Sequence, residues 1–575
     1  MENSSVIDYL QSTLSTATDY HTEALAHVQV SRDAYKGEYY GNETSGRSKI
    51  VVKDIMRTVQ GALPSITEPF LADEIVQIDA DMPGMVQQCA KQEALMNYQW
   101  SKKNDPLEIM ETYGMNLMVE GTAWFMTGWH RDGYPTVETV PFESVIPDPA
   151  ATSMDDCRFI IYRRKVTVGE ILGNPEWYGK HTKADLQVLM PGNSTQYEPD
   201  PTRGREESYN PDDRSLEHIE VFEYYGYYDL NQDDEAEPVL MIWSESKLLR
   251  ATESPFPFGP IPFDVATYSK IPFSVYGATI EDMIGDHQRL RTSITRGIID
   301  NMANSNNGTK FIRKGSLDAV NMNRLKRGDP IVELNAPSQM HADALIYDGS
   351  FNPLPADVYH MMEGIQQEEQ DLTGISNLSI GSFDPRSINQ TATGSSIMAS
   401  MSQKRLMFTV RHISSALKGV FSKWASLNAD LLTEASITTP RGEQIEVIGA
   451  ELPVDGFGIS IKTPTQGLKE KKLMDLGTML QQVAPMSNVL GLDPAMHIIT
   501  QMAKELEMPT LQKSILESYI QMKQRPQQDP MQEIEAMEKQ AEIVKDLAQT
   551  EKYKAETDAK RVETMRAYNG LENIG

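Results

Sequence analysis

The chain has 575 residues, more than a single hydrophobic core normally holds, so several domains are expected. Its net charge of −29 excludes a protein whose general surface grips nucleic acid, because that surface is normally basic. Any DNA contact is then loose or confined to local basic spots. Two cysteines, Cys89 and Cys157, exclude a disulfide framework and suit a reducing cytosol. The start, MENSSVIDYLQ, has neither a basic n-region nor an apolar h-region, so no secretory signal is expected. The most apolar window, GMNLMVEGTAWFMTGW, is broken by Asn116 and Glu120 and is too short and too polar to span a bilayer.

Residues 5–40 carry apolar or small side chains at spacings of three and four and read as a helix. GNETSGRS is a loop. SKIVVKDIMRTVQGALPSITEPFL is a second helical stretch, interrupted at Pro64. Two helices flank Asp105: VQQCAKQEALMNYQWSKKN before it and PLEIMETYGMNLMVEG after it. Strands follow in TAWFMTGWH, across a turn at Gly133 in PTVETVPFESVIPDP, and in CRFIIYRRKVT, before a short helix, VGEILGN. Residues 192–217 are rich in Pro, Asp, Asn and Arg and read as a mobile loop. EHIEVFEYYGYYDL and PVLMIWSESKLLRA read as a hairpin across the acidic turn NQDDEAE.

The stretch from Tyr268 to Leu378 is the most informative. A long helix runs from about Gly277 to Ser305. A Gly- and Pro-punctuated, strand-rich piece follows, with NGTKFIRKGS, NRLKRGDPIVELN and DALIYDGSFNPLP. A second helix then ends at Gly374. Two helices leaving and re-entering one body with a small tip between them form a stalk, which suits a ring better than an active site. After a polar stretch, SIGSFDPRSINQT, a helix runs from about Ala392 to Ala435, with Gly419 as a bend. Unbroken, it approaches about 60–65 Å at 1.5 Å per residue. Short strands return in QIEVIGAEL and GFGISIKTP. Residues 466–523 read as helical, broken at Pro485, Pro494 and Pro509. Beyond Pro530 a heptad from Ile534 to Met565, interrupted by Glu551 and Asp558, makes a weak seam.

Motifs for chemistry are weak. Gly41 to Ser48 has phosphate-loop spacing, but Arg47 stands where lysine is needed and YKGEYY is a poor buried strand, so a surface loop before a helix is expected. Ten histidines are scattered, without paired spacing on one helix. His287 and His412 read as solvated or interfacial. Two lone cysteines cannot make a structural zinc site by themselves. Asp229, Asn231 and Asp233 mimic a calcium loop, but Asp234 occupies the glycine position and Leu240 the place of the last glutamate, so a plain acidic turn is expected. No Gly-x-Ser-x-Gly elbow is present. No enzyme, cofactor or metal is expected.

Cations cluster locally at Arg289, Arg291 and Arg296 on the first stalk helix. Lys310, Arg313, Lys314, Arg324, Lys326 and Arg327 follow in the tip. One reading is contact with phosphates or an acidic partner. The other is ordinary surface charge balanced by Glu281, Asp282, Asp286 and Asp318.

Four segments, in order, resemble the portal (head-to-tail connector) proteins of tailed bacteriophages, those of short-tailed phages in particular. They are GRSKIVVKDIMRTVQGALPSITEPF, PFESVIPDPAATSMDDCRFIIYRRKVTVGEIL, IPFSVYGATIEDMIGDHQRLRTSITRGIIDN and TGISNLSIGSFDPRSINQTATGSSIMASMSQKRLMFTVRHI. The resemblance covers about residues 30–525. It implies an α+β portal fold: a mixed α/β wing, a two-helix stem, a small α/β clip, a long channel-spanning helix and a helical crown. Residues 1–276 would form the N-terminal part of the wing, 277–305 and 355–378 the stem, and 306–354 the clip. Residues 379–391 would be the tunnel loop, 392–465 the long helix and return strands of the wing, 466–530 the crown, and 531–575 a helical tail or short barrel.

The implied function is a homo-oligomeric ring, usually dodecameric, at one capsid vertex. Double-stranded DNA would pass through its channel during packaging and ejection, without sequence specificity. The implied partners are the terminase large subunit, the head-to-tail adaptor, and the major capsid and scaffolding proteins. No membrane is involved, and the ring is assembled in the host cytoplasm. Arg386, Ser387 and Asn389 are the channel candidates. Lys310, Arg313, Lys314, Arg324, Lys326 and Arg327 are the docking candidates on the clip. A capsid-associated hydrolase and an open-polymer scaffold are the rival readings.

Overall fold

The computed structural model describes residues 3–182, 185–186, 218–245, 247–306, 310–313, 315–327, 333, 346–348, 355, 357–375, 392–438, 444–462, 479 and 499. The expectations for residues 192–217, 379–391 and 531–575, and for nearly all of 466–523, lie outside them. Contacts group the described residues into two units. One runs to Thr433 and takes in Gly449–Ile461; the other includes Glu434–Ile448.

In the first unit the order is α1 (Asn3–Lys36), α2 (Asp54–Thr67), β1 (Val76–Ala80), α3 (Val86–Tyr98), α4 (Pro106–Glu120), β2 (Thr122–His130), β3 (Tyr134–Val140), β4 (Val145–Pro147) and β5 (Phe159–Thr167). Then come α5 (Val168–Gly173), α6 (Pro175–Tyr178), β6 (His218–Tyr228), β7 (Glu237–Ser244), β8 (Lys247–Glu253), β9 (Phe263–Thr267), β10 (Ser269–Lys270), β11 (Gly277–Ala278) and α7 (Ile280–Asn306). β12 (Lys310–Ile312), α8 (Ala319–Arg327), β13 (Ile346–Asp348), α9 (Asp357–Thr373) and α10 (Ala392–Leu431) follow, and β16 (Phe457–Ile461) returns. The second unit holds the hairpin of β14 (Glu434–Thr438) and β15 (Gln444–Ile448). The fold is α+β, as expected.

Local chemistry sets several boundaries. Asp105 caps α4 by accepting from the amides of Leu107 and Glu108 at 3.2 and 3.4 Å; Pro106 follows in the first turn, and Gly121 ends the helix in the left-handed region at φ 74°. A Cβ on Gly121 would sit 2.5 Å from the Gly277 carbonyl oxygen, so this crossing of β2 and β11 needs a residue without one.

The second expected helix is corrected at both points. It begins at Asp54, and Pro64 lies inside it without breaking it. Ser48 to Lys53 run non-helical along α7, because the amides of Ser48, Val52 and Ile55 donate to Asp300 Oδ1, Thr292 Oγ1 and Gln288 Oε1 at 2.7, 3.2 and 2.9 Å. The β-branched run Ile50-Val51-Val52 favours that extended course.

Strands β3, β2 and β9 form an antiparallel three-stranded sheet, and β4 to β8 a five-stranded one. The run PVLMIWSESKLLRA is two strands, not one: Glu245 turns at φ 47° and β8 folds back on β7. Both faces of the five-stranded sheet are buried. Val221, Tyr225, Leu240 and Ile242 face one apolar core; Tyr224, Val239, Met241 and Trp243 face another, closed by Val6 and Leu10 of α1. Two-sided burial explains the unbroken apolar run in β7.

The largest core packs α2, α3, α4, the start of α7 and α10 against β2. The long helix ends at Leu431, four residues early, because Glu434 already opens β14. Gly419 serves close approach rather than a bend. A Cβ there would meet the Asp264 carboxylate at 2.1 Å, and Asp264 pairs with Lys423 at 2.7 Å.

Candidate functional site

The expected first stalk helix is α7, and α9 packs beside it. Between them lie β12, α8 and β13. β12 and β13 pair antiparallel, Lys310 opposite Asp348 and Ile312 opposite Ile346. The expected strand-rich tip thus also contains a helix, and NRLKR is its last part. Asp318 starts that helix, its carboxylate accepting from the Asn321 amide at 2.9 Å.

The docking candidates fall on these elements. Lys310 opens β12, and Arg313 follows it, exposed, its carbonyl accepting from Ser316 Oγ at 2.7 Å. Arg324, half-buried, lies on α8, and Lys326 and Arg327 are the last two residues of that helix. Both chain segments thus fall in the one insert between α7 and α9. Lys314 and the channel candidates Arg386, Ser387 and Asn389 lie outside the described residues.

The cations on α7 have a different setting. Arg289 pairs with Glu281 and with Asp286 at 2.9 Å. Arg291 pairs with Asp54. Arg296 pairs with Glu43 at 2.6 Å and donates to the Ile50 carbonyl and to Asn42. Arg291 and Arg296 tie α7 to α2 and to the loop before it, whereas Arg289 pairs only within α7; all three are balanced by acids, Arg289 by the expected Glu281 and Asp286, the other two by Asp54 and Glu43. The loop with phosphate-loop spacing is tied to α7 by its own Asn42 and Glu43, and the helix after it begins only at Asp54.

Sequence reasoning missed the cluster at the foot of the α7–α9 pair. Asp54 and Arg57 of α2, Arg291 of α7 and Glu369 of α9 converge there. The Glu369 side chain is 4% exposed, yet its carboxylate lies 3.7 Å from Arg57 and 3.9 Å from Arg291, beyond hydrogen-bond reach, and neither oxygen has a hydrogen-bond partner. Burial, with the neighbouring Asp54 charge, pushes its pKa up to about 7. Burial also raises the Asp54 pKa. The only sequence signal was an acid opening a helix after an apolar run; its partners are distant in sequence.

Other candidate groups are structural. Asp229, Asp233 and Glu237 bring oxygens within 4.8 Å of one another, but Asp229 accepts from the amides of Gln232, Asp233 and Asp234, and Glu237 from that of Leu230. These bonds account for the grouping as an acidic turn. Cys89 and Cys157 are buried, and burial pushes the Cys157 thiol up to about 11. His287 bridges α7 and α9 through Glu368 at 3.3 Å. His412 is half-buried and interfacial: its Nδ1 lies 2.8 Å from the Thr267 carbonyl and ties α10 to β9. No described helix is long and apolar enough to cross a membrane.

The sequence profile of the phage SU10 portal protein family matches residues 6–133 and 130–549, almost the whole chain. The second matched stretch spans α7, the insert, α9 and α10, and so covers the arrangement described above. The chain belongs to the phage SU10 portal protein family and is a tailed-phage portal protein, a structural component of the phage capsid.

Proposed function

We propose that about twelve copies of this chain close into a ring at one capsid vertex, and that double-stranded DNA enters and leaves through its axis. The observation that carries the reading is the helix pair α7 and α9, which leaves and re-enters one body and holds a small α/β insert between its ends. In this reading the pair is the stem and residues 306–354 the clip, where the terminase large subunit and later the head-to-tail adaptor dock. Residues 1–276 and 392–465 form the wing, 379–391 the tunnel loop and 466–530 the crown. Major capsid and scaffolding proteins surround the wing.

The charge suits a conduit. About twelve copies of −29 total roughly −350, which repels the phosphate backbone and keeps contacts few. Dense cations would hold phosphates through counterion release, so Arg386 gives transient contacts only. The protein does no chemistry of its own in this account; the ATP-driven work belongs to the motor. A photoreactive group at Ser387 tests the channel. DNA adducts in filled particles are expected. Adducts from other positions but none from this one would remove residues 379–391 from the channel.

A further inference from the structure

The turn between β10 and β11 is an exposed apolar knob on a rigid base. Phe273 is 86% exposed and sits at φ 60°, a region that a bulky residue enters only at a cost. Ile271 beside it is 43% exposed, and Lys270 is exposed at the base. The far end of the turn is anchored. Tyr276 is buried at its end, bonded to His21 Nδ1 at 2.8 Å and packed on Tyr20, and Gly277 is wedged against Gly121.

A cleft of about 400 Å³ lies elsewhere on the same chain, between α1 and the five-stranded sheet. Leu14, Phe222 and Trp243 supply its apolar lining; Asp19 and Glu245, both exposed, supply acids. At about 100° per residue, Tyr20, His21 and Ala24, which meet Tyr276, point about a third of a turn round α1 from Gln11, Ser15 and Thr18 of the cleft. Knob and cleft therefore lie on different sides of the same helix. One is apolar with a cation; the other is apolar with two acids.

We propose that the Ile271–Phe273 knob of one copy seats in the α1 cleft of the next, with Lys270 facing Asp19 and Glu245. A repeated head-to-tail contact needs two different, complementary patches on one chain, and patches on different sides of α1 let the contact propagate around a ring. Seating the ring of Phe273 against Leu14, Phe222 and Trp243 removes apolar surface from water, and the partner accounts for a strained residue held in the open. The inference rests on the ring reading above and names one contact within it.

The test uses the full chain with Phe273→Cys and Leu14→Cys together, joined by a short thiol crosslinker. The natural cysteines are buried and serve as background. A ladder of covalent oligomers is expected from the double variant, and none from either single variant. Rings visible by electron microscopy without that ladder would overturn the knob contact and leave the ring standing; a Phe273→Cys single variant that crosslinks as well would overturn it too, as a twofold contact. Absence of any ring would overturn both. Phe273→Gly separates contact from fold. It relieves the backbone, so the monomer should unfold no more easily, while the concentration needed for assembly should rise roughly ten- to hundredfold. Unchanged assembly would overturn the proposal.

Discussion

Two buried charge clusters stabilise the body in opposite ways. In the first, Arg32 of α1 donates to Glu120 at the end of α4 at 3.1 and 2.6 Å, and to Glu143 at 2.8 Å. In the second, Arg57 and Arg291 stand 3.7 and 3.9 Å from Glu369 without bonding to it. Both hold a carboxyl that burial pushes up to about 7. The difference is in hydrogen bonding. One guanidinium at direct contact clamps α1 to α4, whereas the foot of the α7–α9 pair keeps a carboxyl that burial disfavours as an anion and that no donor reaches. Glu120 is held through Oε1 alone, its Oε2 being without a hydrogen-bond partner, yet that direct bond fixes a geometry; a carboxylate with neither oxygen bonded leaves room for the elements around it to shift.

Breaking the clamp should have the largest effect. Arg32→Ala strands two carboxylates, one of them buried, and should cost about 3–5 kcal/mol in denaturant unfolding of the chain. A loss under 1 kcal/mol would show that the clamp is not fully desolvated. Arg291→Ala is expected to cost less, about 1–3 kcal/mol, because Asp54 keeps Arg57 at 3.4 Å and Glu369 was never bonded.

Glu369→Gln sharpens the contrast through pH. The folded pKa, about 7, lies above the ordinary 4.5. The folded chain therefore holds a proton that the unfolded chain releases, and stability falls as pH rises from about 4.5 to about 7. Glu369→Gln should remove that share of the slope and be neutral or stabilising above pH 7. Glu120→Gln also removes a share, but weakens the bonds to Arg32 and should be destabilising at every pH. Identical profiles for the two variants would erase the distinction.

The smallest effect on stability is expected in the insert. Reversing Arg313, Lys314, Arg324 and Arg327 together should change unfolding by no more than about 1 kcal/mol per site and leave assembly intact. Binding of the terminase or the adaptor should weaken. If packaging and tail attachment both survive all four reversals, the insert is not the docking end.

Much of the fold was legible because it is local. Asp105-Pro106 and Gly121 announced α4, and the Gly133 turn announced the β2–β3 hairpin. The α7–insert–α9 order was legible from helix length and turn formers. The failures share one physical cause, which is partners far away in sequence. β1 pairs with β16, from the other end of the first unit, and nothing in EIVQIDA signals that. Ser48 to Lys53 looked helical, but side chains of α7 take up the amides of Ser48 and Val52. The arginines of α7 looked like a basic patch until Asp54, Glu43 and Glu281 came into place. Glu369 was one acid among 82 in sequence, and only the meeting of α2, α7 and α9 singles it out.

The central claim is the closed ring. Electron-microscopic class averages of the purified protein test it most directly. The account predicts closed rings of about twelve copies with an axial hole. Open filaments, or a monomer that persists at high concentration with no ring in intact particles, would contradict it.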